Sequence, residues 1–248
     1  MPTEKSFRDL HQPGNPLILF NIWDAGSAAA VARAGARALA TGSASVAGAL
    51  GYPDGEAIPL DMLLQVVARI RAVSDLPLTV DFEAGYGDTP AEIAGNAARL
   101  DMMGVAGINF EDGVPPENGI RSAAEHAERI AAIRARTGLF INARTDLFLQ
   151  NPSDAHAALL SEAAARAVTY AEAGADGFFA PGLTEPSLIS ELCRDSPLPV
   201  NIMASPSAPS ITDLAGLNVA RVSFGPFPWR DTMAFLTQAA AKQLGQGA

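Results

Sequence analysis

One local pattern recurs along this chain and limits what it can fold into. An alanine-rich, helix-like stretch ends in glycine, a few residues follow, and a short apolar strand then runs into polar or small residues. Examples are Arg33-Ala34-Gly35 before Ala38–Thr41, Met103-Gly104 before Gly107–Glu111, Thr137-Gly138 before Phe140–Arg144, and Ala173-Gly174 before Gly177–Ala180. A looser copy places Gly216 before Val222-Ser223-Phe224-Gly225. Glycine just past a helix is the left-handed cap that turns the chain back toward a sheet. Successive units lie roughly 35 residues apart, or twice that, as repeated βα units do.

Filling the gaps gives eight strands, near Ile18–Ile22, Ala38–Thr41, Leu78–Phe82, Gly107–Glu111, Phe140–Arg144, Gly177–Ala180, Val200–Met203 and Arg221–Phe224. Helix-like segments fall between them, among them Met62–Ala72, Ala91–Met103, Ala123–Arg136 and Ala157–Ala173. Eight alternations in 248 residues predict an α/β fold, a (β/α)8 TIM-type barrel. An open doubly wound sheet is the competing architecture, but it usually has fewer strands. Thr3–Leu10 reads as an extra N-terminal helix closing the bottom of the barrel, and residues 229–245 as a final helix. No linker or low-complexity tract interrupts the chain, so residues 1–248 are expected to form a single domain.

Composition removes several functions. The net charge is −10 and the sequence pI about 4.7. No basic stripe is present, so neither nucleic acid nor an anionic membrane is expected as a partner. Cys193 is the only cysteine, which excludes an intrachain disulfide and a cysteine zinc cluster. The polar Met1–Arg8 stretch lacks the apolar core of a secretory signal, and no apolar run approaches the roughly 20 residues of a membrane span. A cytoplasmic location is the expectation.

In such a barrel the site lies at the carboxyl ends of the strands. There the sequence places Asp81-Phe82-Glu83-Ala84-Gly85-Tyr86-Gly87, Asn109-Phe110-Glu111-Asp112-Gly113 and Asn142-Ala143-Arg144-Thr145-Asp146. Asp81 and Glu83, one residue apart, point the same way from an extended strand. Glu111 ends the next strand, and Asp54 lies on the long loop after the second strand. Any one of these acids alone would read as a solvated loop residue or helix cap. Together they suit a hard cation such as magnesium, which takes few direct carboxylates and keeps several waters. Manganese is the alternative ion.

Arg144 stands in a mostly apolar run, where a bare charge would be expensive. Its planar fork suits a substrate carboxylate or phosphonate, or else an ion pair with Asp146 or Glu111. Thr41-Gly42-Ser43 offers hydroxyls and approachable backbone amides to an oxyanion. Trp23 could wall the pocket or simply pack. His11, His126 and His156 fall in helical or terminal segments, so no histidine base is evident. The only lysines, Lys5 and Lys242, lie near the termini, which disfavours a Schiff base. A metal is the electrophile that remains.

At these residues the chain resembles the isocitrate lyase/phosphoenolpyruvate mutase superfamily, from Phe20–Ala25 to Phe224-Gly225-Pro226. The resemblance implies a barrel whose last helix is exchanged with a neighbour, usually in a homotetramer. It implies magnesium held mainly at Asp81, with waters fixed by Asp54, Glu83 and Glu111. It implies a small anionic 2-oxo acid as substrate, its carboxylate at Thr41-Gly42-Ser43 and its far end at Arg144. The larger lyases of this superfamily carry a Lys-Lys/Arg-Cys-Gly-His lid; here Glu111–Gly119 fills that loop, which points away from isocitrate or methylisocitrate cleavage. The mutase's loop lysine and asparagine match approximately Glu117 and Gly119, which points away from the mutase rearrangement.

The expectation that follows is a magnesium-dependent lyase acting on a 2-oxo acid or its precursor, by decarboxylation or C–C cleavage through a metal-stabilised pyruvate-type enolate. Glu111 or Glu117 would position a protonating water. Chemistry at the P–C bond of phosphonopyruvate and binding of 2-oxo acids without turnover are the alternatives.

Overall fold

A computed structural model describes residues 7–115 and 119–245. Its centre is a ring of parallel strands. In chain order these are β1 (Leu17–Leu19), β2 (Asn21–Ile22), β3 (Leu39–Thr41), β4 (Leu78–Asp81), β5 (Gly107–Glu111), β8 (Phe140–Arg144), β9 (Gly177–Phe179), β10 (Val200–Met203) and β11 (Arg221–Ser223). The sheet order is β1-β11-β10-β9-β8-β5-β4-β3-β2. Strand β1 pairs with β11 and β2 with β3. The two short pieces are joined through the single residue Phe20, so they are halves of one strand and the ring closes through it. All eight strands expected from the sequence are present. The hairpin of β6 (Gly113–Val114) and β7 (Gly119–Ile120) is an addition that its short polar sequence did not announce.

Helices cover the outside: α1 (Ala25–Arg33), α2 (Ser43–Leu50), α3 (Leu60–Arg71), α4 (Pro90–Met102), α5 (Ala123–Arg136), α6 (His156–Glu172), α7 (Pro186–Asp195), α8 (Ile211–Gly216) and α9 (Phe227–Gln243). Asp24, Thr89 and Ser122 start α1, α4 and α5 with reciprocal capping boxes that satisfy the first free amides. Parallel strands need such crossovers, and their sheet is then buried on both faces.

The two faces make two cores. Outward residues such as Val80, Ile108, Phe110, Ile141 and Val222 join the helices in one large cluster. Phe7, Leu17, Leu19, Ala38, Ala40 and Phe140 form a smaller cluster inside the barrel. Phe7 is fully buried there, midway along the expected Thr3–Leu10 helix, the first half of which lies outside the described residues. Beyond this apolar plug the interior turns polar. Asn21, Thr79, Asn109, Asn142, Asn201 and Arg221 are all buried, where barrels usually stack branched aliphatics. The final helix is the exception to this close packing: Pro228 is the one buried residue of α9, while Phe235 and Leu236 are exposed.

Candidate active site

Register brings the charged strand ends together. Asp81 is level with Asn109, Asn109 with Asn142, and Glu111 with Arg144. Asp81, Asn109 and Arg144, with Gly42, Ser43 and Asp54, bound a cavity of about 280 Å³. A second cavity of about 300 Å³ shares Ser43, Asp54 and Arg144 with it and reaches Glu83, Glu111 and Asp146. Asp54, Asp81, Glu83, Glu111, Arg144, Gly42 and Ser43 are therefore gathered around two adjoining cavities that share part of their lining.

Asp81 is the last residue of its strand. Its backbone N–H donates to Thr41 Oγ1 at 2.9 Å, and its Oδ2 accepts from the Ser43 N–H at 3.1 Å. Its Oδ1 is buried without a partner among the described residues. Burial pushes the Asp81 pKa up, while the Arg144 guanidinium opposes that rise.

The alternation argument stops at Asp81. Glu83 has φ 50, as only the left-handed region allows, so it is not the next tooth of an extended strand. Its Oε2 accepts from the Gly55 and Glu56 amides at 3.0 and 2.8 Å, and its Oε1 from the Tyr86 hydroxyl at 2.8 Å. Glu56 reciprocates, accepting from the Tyr86 amide at 2.7 Å. Both Glu56 and Tyr86 also lie at positive φ. This clasp ties the loop carrying Asp54 to the exit of β4. Burial, followed by the Asp81 charge, pushes the Glu83 pKa up to about 7.

Arg144 makes both of the ion pairs that its sequence allowed. NH1 lies 2.7 Å from Glu111 Oε2, and Nε donates to Asp146 Oδ1 at 2.6 Å. Burial works against its charge, but Glu111 and Asp146 outweigh burial and raise its pKa. Burial likewise raises the Glu111 pKa, with Arg144 opposing. Behind this pair stands a brace with no obvious sequence signal. Asp112 Oδ1 accepts from the Asp146 amide at 2.9 Å, and its Oδ2 from Tyr170 Oη at 2.8 Å and Arg166 NH1 at 3.0 Å. Arg166 and Tyr170 lie on α6, far away in the chain. Only the position of Asp112 inside Glu111-Asp112-Gly113 hinted at a role.

Other sequence-selected residues stand elsewhere. Trp23 lines neither cavity and packs half-buried on the outer core. Thr41 is buried and spent on the Asp81 amide. The Gly42 amide donates to the Ile22 carbonyl at 3.2 Å, so the start of α2 reaches the cavity through Ser43 and Ala44. Glu117 lies outside the described residues. Arg230, in the first turn of α9, lines the first of these cavities beside Phe227 and was not foreseen.

Among the described residues, no three or more His, Cys, Asp or Glu side chains converge as a ready-made metal cage. A magnesium ion does not need one, because it keeps most of its waters. A buried carboxylate oxygen without a donor is costly, and a hard cation is the partner its chemistry suits. Asp81 Oδ1 meets that description, with Asp54 on the same cavity and Glu83 and Glu111 on the adjoining one to receive metal waters. The residues present fit a divalent ion.

Comparison with known proteins shows the family and the fold. Residues 7–244 match the family described as phosphoenolpyruvate phosphomutase. A solved structure from Burkholderia cenocepacia J2315, provisionally described as a phosphonomutase, is 47% identical, with a TM-score of 0.92 and 98% of each chain covered. An uncharacterised protein of Mycobacterium tuberculosis is 38% identical over 90% of this chain and 83% of its own. The 2-methylisocitrate lyase of Escherichia coli K12 is 32% identical over 90% of this chain and 77% of its own. Phosphonopyruvate hydrolase, solved with oxalate and magnesium, shares the fold at 20% identity and a TM-score of 0.86.

Proposed function

This chain belongs to the phosphoenolpyruvate mutase family of the isocitrate lyase superfamily, and from that premise we propose that it is a magnesium-dependent lyase acting on a small 2-oxo acid or its precursor. The favoured reaction is decarboxylation or C–C cleavage that leaves a pyruvate-type product. The observation that carries this reading is Asp81 Oδ1, buried and unpartnered in a cavity that also holds Arg144 and the start of α2.

Bound at Asp81, the divalent ion would act as a Lewis acid on the substrate's oxo group. Asp81 would hold it directly, and Asp54, Glu83 and Glu111 would hold its waters. Manganese would serve the same donors. The amino end of α2 carries partial positive charge, and Ser43 and Ala44 present it to a substrate carboxylate. Arg144 is locked by Glu111 and Asp146, and its remaining N–H donors serve the distal carboxylate. Glu111 would also position a proton-carrying water. The uncovered α9 is read as the surface that packs on a neighbouring copy in a homotetramer, with light scattering as the direct check.

The test is turnover of oxaloacetate and phosphonopyruvate with magnesium and with chelator. Carbon dioxide or pyruvate formed from oxaloacetate, and lost with chelator, supports the lyase. Phosphate released from phosphonopyruvate instead supports chemistry at a P–C bond, the reading favoured by the 47% identity to the Burkholderia protein. Asp81→Ala should abolish magnesium-dependent binding of oxalate while the protein stays folded; unchanged magnesium affinity by calorimetry would remove Asp81 from the site.

A further inference from the structure

Beneath the cavity lies a cation that the reaction above does not use. Arg221 is 1% exposed, inside the barrel, and no carboxylate lies within ion-pair distance of it among the described residues. Its NH2 donates to Asn109 Oδ1 at 2.8 Å, while Nε and NH1 have no partner among the described residues. Burial pulls its pKa down to about 9, with the Asp81 charge opposing, so the group is still cationic at neutral pH. A buried guanidinium without a counter-ion is expensive, and an aliphatic side chain would fill the same place at less cost.

What Arg221 does hold is one amide. Asn109 Oδ1 accepts from Arg221 and also from Asn142 Nδ2 at 2.9 Å, and Asn142 Nδ2 donates in turn to Asn201 Oδ1 at 3.0 Å. Arginine can only donate, so the Asn109 oxygen must face it, and a flipped amide would set donor against donor. The other end, Nδ2, has no partner among the described residues and is not sealed off, and Asn109 lines the cavity. It is an open donor at the level of Asp81 in the sheet register.

We propose that Asn109 binds an oxygen of the anionic ligand from the cavity floor, and that Arg221 is the positioning residue that fixes its amide and keeps the floor positive. This rests on the reading of the cavity as a 2-oxo acid site. The ligand class is a planar, acceptor-only anion such as oxalate or an enolate-like 2-oxo acid.

The test is calorimetry of oxalate with magnesium, and of magnesium alone, alongside thermal melting. Asn109→Asp places a carboxylate beside Arg221, so melting should rise while oxalate affinity falls at least tenfold. Arg221→Gln should weaken oxalate by a similar factor without weakening magnesium alone, and Arg221→Lys should recover part of the loss. A purely structural role would move melting and leave oxalate affinity alone. Oxalate affinity within twofold of the parent in folded Asn109→Asp overturns the proposal, and that variant decides if Arg221→Gln does not fold. If the parent protein fails to bind oxalate with magnesium, the 2-oxo acid reading falls, and this one with it.

Discussion

At the scale of single residues, the site is built from charges that would be unstable one at a time. Arg144 is buried because Glu111 and Asp146 sit 2.7 and 2.6 Å from it. Breaking such a cluster by removing one partner leaves uncompensated buried charge and typically costs about 3–5 kcal/mol. Arg144→Ala should therefore lower stability by about that amount in denaturant melts and weaken dicarboxylates more than pyruvate. Equal losses for both ligands would show that Arg144 does not touch the distal group. The acids and the arginine were legible in the sequence because each sits where an apolar run stops. Their partners were not. Asp112, Arg166 and Tyr170 meet across more than fifty residues, and the turn of Glu83 into positive φ defeats any reading based on strand alternation.

At the scale of elements, capping chemistry and apolar runs specified nearly every piece. The expected Ala123–Arg136 is α5 to the residue, and other helices moved by one or two positions, as fraying ends do. What was hidden is how pieces lean on each other. Gly48, in the middle of α2, has no side chain because Trp229 at the start of α9 fills that space. An added Cβ would lie 2.7 Å from the indole. Gly48→Ala is expected to cost about 1–3 kcal/mol through overpacking, despite its better helix propensity. Tryptophan emission should shift as Trp229 is displaced; an unchanged spectrum with higher stability would show that the contact yields freely.

At the scale of the whole molecule, the fold buries two histidines, His11 and, between α5 and the sheet, His126, that cannot take up protons easily. Burial holds His11 and His126 at pKa values of about 3, against an ordinary 6.5. Their folded values are depressed, so the unfolded chain binds protons first as pH falls below about 6.5, and stability is lost from there toward pH 3. Each should account for about 2 kcal/mol between pH 7.5 and 5. The buried acids of the site act in the opposite sense, so the check is a difference. His126→Phe, beside the Phe110 ring 4.6 Å away, should flatten the acid-side fall in melting temperature relative to the parent. Identical pH slopes would mean that His126 titrates normally.

The sequence by itself determined the barrel, the strands whose exits form the site, and the kinds of charge found there. Those features are written locally, in the spacing of apolar runs, in glycine caps and in the residues where strands stop. Only the tertiary structure decided which groups are free. It tied Arg144 and Glu83 to neighbouring groups and spent Thr41 and the Gly42 amide, and among the described residues it left Asp81 Oδ1 and two nitrogens of Arg221 buried without partners, with Asn109 Nδ2 making no hydrogen bond at the cavity. Partnering depends on register between strands and on side chains from distant helices, and neither quantity is carried by any short stretch of chain.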